Sequence, residues 1–141
     1  MKYYLIAFLF LLAAGVYAAD VAVSRNAHML RILQLVYKEN NRAFFGGKLT
    51  EDTVITIVPE LRDDHGERIM GSTQCSSDDG GLHCDVRIDA GYNQVQATAV
   101  LTLDHEMCHI KLWGKEFQQH GTAWQACMQE GAAMGEFHDV W

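Results

Sequence analysis

The sequence predicts a single compact α+β domain: one leading helix, a small three-stranded sheet containing a hairpin, then two helices. Three observations carry this. Apolar residues recur at helical spacing from about Ala27 to Phe45 and stop at Gly46-Gly47. A β-branched run, Val54-Ile55-Thr56-Ile57-Val58, follows and is closed by Pro59. Two further helical stretches lie after Asn93 and after Gly121. Residues 19–141, roughly 120, suffice for one domain with one modest core, and no internal repeat or low-complexity tract divides them.

The first element is of another kind. Met1 to Ala19 holds one lysine, the apolar run LIAFLFLLAAGV and small residues around Val16-Tyr17-Ala18. This is the pattern of a secretory signal peptide, residues 1–18, with cleavage after Ala18. The alternative is a membrane anchor, but the apolar run is shorter than the roughly 20 residues that span a bilayer. No cysteine follows the run to take a lipid. The expected location is therefore secreted or periplasmic, with no stable membrane association once the segment is removed. The formal net charge is −7 and no basic cluster is visible, so a nucleic-acid partner is not expected. A monomer is expected.

In the leading helix, Leu30, Leu33, Tyr37 and Phe44 are the expected buried positions. After the Val54–Val58 strand, the charged stretch Leu61 to Glu67 reads as a surface loop. Strands near Ile69 to Cys75 and His83 to Asp89 flank the turn-forming Asp78-Asp79-Gly80-Gly81. Four cysteines in a short exported chain suggest disulfides, and three pairings are possible. Cys75–Cys84 with Cys108–Cys127 is preferred: the first would staple the hairpin and the second would tie the two C-terminal helices. Cys108 as a buried free thiol is the alternative. A thiolate metal site is disfavoured, because the cysteines lack CxxC-type spacing.

The penultimate helix carries the chemistry. From Asn93, an N-cap with Gln96 completing a capping-box pattern, it runs to a stop at Gly114. Val100, Leu103, Met107 and Ile110 form its apolar stripe. On the opposite side lie His105 and His109, one turn apart and able to reach the same cation. Glu106 sits roughly 100° round from His105, where its carboxylate can serve a metal-bound water without becoming a ligand. A helix with two incidental surface histidines is the plain alternative. A catalytic zinc takes three protein ligands, so a third is needed. His120 is the leading candidate, just before a last helix that Thr122 would cap; Glu130 is its rival and His138 is more remote.

The stretch LDHEMCHIKLWGKEFQQHGTAWQACM resembles the active-site region of the SprT-like family of zinc metallopeptidases. There an HEMxH sequence is followed, after a variable loop, by a third histidine inside HGxxW or HGxxF, as in His120-Gly121-Thr122-Ala123-Trp124. Upstream, YKENNRAFFGGKL resembles the family's N-terminal helix and its aromatic-Gly-Gly turn, and TVITIVP its first strand. The likeness runs from about Leu30 to Met128. It implies a zincin-type fold, Zn2+ held by His105, His109 and His120, and Glu106 as the catalytic residue. It also implies a protein or peptide substrate cleaved by a metal-activated water. The alternative is an exported zinc- or protein-binding module without turnover. A strand beside the cleft, with the Cys75 to Cys84 hairpin as candidate, would hold the peptide by backbone pairing. Tyr92, His83 and His138 are the candidates for stabilising the oxyanion.

Overall fold

The computed structural model describes residues 2–115 and 120–135, with side chains from Ala19 onward. Its elements are α1 (Lys2–Ala43), β1 (Thr53–Val58), β2 (Gly71–Asp78), β3 (Gly81–Asp89), α2 (Gln96–Lys111) and α3 (Thr122–Ala133). The α+β class and the order of elements are those expected from the sequence. The start of the first helix is not: α1 begins at Lys2 rather than near Ala27. The alanines and leucines before Asp20 are good helix formers, and no proline interrupts them. Among the described residues no helix is long and apolar enough to cross a membrane.

Within α1 the buried residues recur every fourth position, Met29, Leu33, Tyr37 and Asn41, which stacks them along one stripe. Leu30 and Phe44 are only partly buried and pack at the edge of the core. Asn41 then fastens the chain that follows. Its Nδ2 donates to the Leu49 carbonyl at 3.1 Å and its Oδ1 accepts from Leu49 N at 3.0 Å. Gly46 and Gly47, at φ 63° and 69°, make the reversal between them. Tyr37 donates its hydroxyl to the Thr50 carbonyl at 2.7 Å, placing the start of β1.

The strand order is β1-β3-β2, with β1 parallel and β2 antiparallel to the central β3. The inward residues of β3, Cys84, Val86 and Ile88, are fully buried, while Asp85 and Arg87 between them face out. They meet Leu33 from α1 and Leu103 and Met107 from α2 in one continuous core. The hairpin runs further than Cys75 and His83 because its ladder extends to Asp78↔Gly81, leaving only Asp79-Gly80 as the turn. Gly81 at φ 117° and the Asp78 carboxylate accepting from Gly80 N close it.

Both preferred disulfides are present. Cys75 and Cys84 lie directly opposite each other in the ladder, 4.1 Å apart at Cα. Cys108 and Cys127 join α2 to α3 at 5.9 Å. The free-thiol alternative for Cys108 is thereby ruled out.

Three local readings change. The residue before α2 is Val95, without a side-chain cap, and Asn93 has a different task. Its buried amide donates to the carbonyls of Met70 (2.9 Å) and Asp89 (2.8 Å) and accepts from Thr102 Oγ1 (2.7 Å). Three bonds, the longest-ranged to Met70 across 23 residues, outcompete one cap. The residue before α3 is Gly121, so Thr122 is the first helical residue and not the cap. In the expected surface loop, Leu61 is buried, and its N–H donates to the Asp89 carboxylate at 2.8 Å.

Candidate metal centre

The three histidines converge. On α2, His105 and His109 face the same way one turn apart, with ring centroids 5.1 Å from each other. His120, on the short segment leading into α3, brings its Nε2 to 2.9 Å from that of His105, and its ring lies 5.2 Å from that of His109. One nitrogen from each ring can be chosen so that all three lie within 4.8 Å of one another. Trp124, one turn into α3, packs 4.4 to 5.9 Å from the three rings and donates Nε1 to the His105 carbonyl at 3.4 Å. The buried Cys108–Cys127 bridge holds the helices together one residue before His109.

Of the two rivals for the third position, Glu130 does not join the group. Glu130 is exposed and paired with Lys111 Nζ at 2.9 Å. His138 lies outside the described residues. Among the described residues, His105, His109 and His120 form the cluster that can hold a metal ion.

The chemistry of this donor set fits a cation. Burial, and then the neighbouring imidazoles, push His105 down to about 4; burial and His120 do the same to His109. Both are therefore neutral near pH 7, each with a lone pair to offer. Two ring nitrogens 2.9 Å apart repel through their lone pairs unless a proton or cation lies between them. Three imidazoles with no carboxylate among them suit a borderline divalent ion that keeps a further position open.

Glu106 stands beside the triad and outside it. Its side chain is buried on the β2 side of α2, where Oε2 accepts from Thr73 Oγ1 at 2.7 Å. Desolvation pushes its carboxyl up to about 7, against the opposing effect of that hydrogen bond. A carboxyl poised near neutrality is suited to taking and returning a proton. Its place depends on Gly71: a Cβ there would lie 2.6 Å from Thr102 Cγ2 and 2.7 Å from Glu106 Oε1. Gly71 and Thr73 were not anticipated. A glycine inside a strand-like stretch was the available signal, since it marks a close approach to the backbone.

These residues open onto a cleft of about 1570 Å³ between β2 and the histidine face of α2. Tyr92 lies on its rim. His83 does not line it; its ring is held between Asp52 (3.2 Å) and Asp85 (3.5 Å), and the hydrogen bond to Asp52, with both carboxylates, raises its pKa. That removes His83 as an oxyanion donor at this cleft. His138, the third candidate, is again outside the described residues.

A family model described as the SprT-like family matches residues 33–139, well over half of the chain. No curated protein and no solved structure matches.

Proposed function

The chain belongs to the SprT-like family, and from that premise we propose that it is an exported, zinc-dependent endopeptidase with Glu106 as its catalytic residue. The observation that carries this is the division of labour on one helix. His105 and His109 meet His120 in a group that can hold a metal, while Glu106 between them is kept out of that group by Thr73 and Gly71.

Zinc held by His105, His109 and His120 would polarise the scissile carbonyl and acidify water. Glu106 takes a proton from the attacking water and later returns it to the leaving amine. Thr73 fixes the direction of that carboxylate. Trp124, packed on all three rings, limits their rotation. Among the described residues the outer edge of β2 pairs with no strand, so its backbone groups are available to an extended peptide.

Export is supported by two disulfides in so short a chain and by the apolar segment at residues 1–18, which we read as a removable signal. The partner is a protein or peptide and not a nucleic acid: the net charge is −7, and Asp63, Asp64 and Asp85 line the cleft. The mature protein, residues 19–141, acts as a monomer.

Hydrolysis of casein by the mature protein, with and without a chelator and in comparison with Glu106→Gln, tests the reading. Chelator-sensitive cleavage that Glu106→Gln abolishes is expected. Zinc binding by both proteins without cleavage by either would favour a binding module with this fold.

A further inference from the structure

The cleft continues past the metal centre towards the N-terminal end of α2, where Thr98, Leu101 and Thr102 line it. Leu101 lies one turn before His105 on the same face of α2 and lines the cleft. Among the described residues it neither belongs to the core cluster, as Leu103 does, nor packs against it, as Val100 does. Met70, 43% exposed, and Tyr92, 49% exposed, line the same cleft. A single exposed apolar residue needs no explanation, but two exposed ones lining a cleft together with the half-buried Leu101 do.

This wall is held firmly. Arg68 lies over the Tyr92 ring, 4.9 Å from its centroid. Its guanidinium makes two bonds, 2.9 and 2.8 Å, to the fully buried carboxylate of Asp89. The same carboxylate accepts from Tyr92 N at 2.8 Å. Gly91 leaves room for the guanidinium, since a Cβ there would collide with it. Asn93 ties the Met70 carbonyl to this corner at 2.9 Å.

The register of β2 against α2 says what would enter. Gly71 lies against Thr102 and Thr73 against Glu106, so strand and helix run side by side in the same sense. Same-face side chains of an extended peptide repeat about every 6.7 Å, and four helical residues rise about 6 Å. A peptide lying along β2 with one residue over His105 therefore delivers its next same-face side chain to Leu101. We propose that Met70, Tyr92 and Leu101 form a subsite for one large apolar substrate side chain, on the side of the scissile bond nearer the start of α2. This rests on the peptidase reading of the metal centre and narrows its substrates to segments carrying such a residue close to the cleaved bond.

The test uses the full mature chain carrying Glu106→Gln and loaded with zinc, so that peptides bind without being cut. Serine- and glycine-rich extended peptides are compared in pairs that differ only in Phe or Ser at one position, and binding is read by fluorescence anisotropy. The Phe peptide is expected to bind about tenfold tighter. Met70→Lys and Leu101→Lys, each added to the same background, should bring the ratio to about one while zinc content is unchanged. Equal binding of the two peptides, or no binding of either, overturns the subsite, as does an undiminished ratio in both lysine variants. A sound ratio together with no cleavage of any peptide by the wild type overturns the peptidase reading and leaves the subsite standing.

Discussion

Each of the two disulfides closes a different kind of structure. Cys75–Cys84 joins residues that already face each other across a hydrogen-bonded ladder, in a hairpin whose turn and register are set locally. Cys108–Cys127 joins two helices that, among the described residues, share no backbone–backbone hydrogen bond: Trp124 packs on the histidine rings and bonds the His105 carbonyl, and Lys111 pairs with Glu130. Loop closure hardly separates them, since spans of 9 and 19 residues differ by only about 0.7 kcal/mol of chain entropy. The difference lies in what the folded state would do without them. The hairpin keeps its ladder, whereas the helix pair loses the link that sets His120 against His105 and His109.

The largest expected effect lies on the helix side. Glu106→Gln should lower the rate of peptide hydrolysis by about a hundredfold or more, measured as kcat/KM on casein-derived peptides, with zinc content unchanged. Rate loss together with zinc loss would instead make Glu106 part of the binding set and blur the division between it and the triad.

Paired removal of the bridges tests the comparison itself. The double variant Cys108→Ser, Cys127→Ser should lose about 3 kcal/mol in denaturant unfolding and should also bind zinc at least tenfold more weakly. The variant Cys75→Ser, Cys84→Ser should lose about 2.5 kcal/mol but keep its zinc affinity. Equal weakening of zinc binding in both would show that the hairpin supports the metal centre as much as the helix pair does.

Gly71→Ala probes the contact between the two regions. Its methyl would enter the space of Thr102 and Glu106, so a loss of about 1 to 3 kcal/mol is expected, with activity falling more than zinc affinity. Full activity in this variant would contradict the placement of Glu106 under β2.

The effects of pH fall on the metal-free protein. His105 and His109 titrate at about 4 when folded and near 6.5 when unfolded, so the unfolded chain takes up protons first. Their contribution should lower Tm as pH falls from about 6.5 to 4. Glu106 acts in the opposite sense: raised from 4.5 to about 7, it opposes folding increasingly as pH rises across that window. Glu106→Gln without metal should therefore be more stable than wild type above pH 7, by about 1 to 3 kcal/mol, and this advantage should vanish below pH 4.5. An advantage that does not change with pH would mean that the carboxyl is not desolvated.

Much of the histidine cluster that can hold a metal was legible because its spacing is local. Two histidines four apart and a carboxylate between them are a property of one helix, and the HGxxW stretch supplied His120. The disulfide pairing was legible for a related reason: a turn lies between Cys75 and Cys84, which left Cys108 and Cys127 to each other. The residues that hold Glu106 were not legible, since Thr73 meets it across 33 residues of sequence. Leu61 reads as loop but is buried by a bond to Asp89 across 28 residues. Asn93 has the sequence of a cap, yet its partners Met70 and Thr102 lie on other segments or further along the helix. The order β1-β3-β2 is likewise set by which strand the core helices cover, and local patterns do not record that.

The most direct test of the account is the zinc stoichiometry of the mature protein, measured by native mass spectrometry alongside His120→Ala and His83→Ala. One zinc per chain in the wild type and in His83→Ala, with loss or marked weakening in His120→Ala, is the predicted result. Undiminished zinc binding by His120→Ala would contradict the convergence of α2 and α3 on a three-histidine centre.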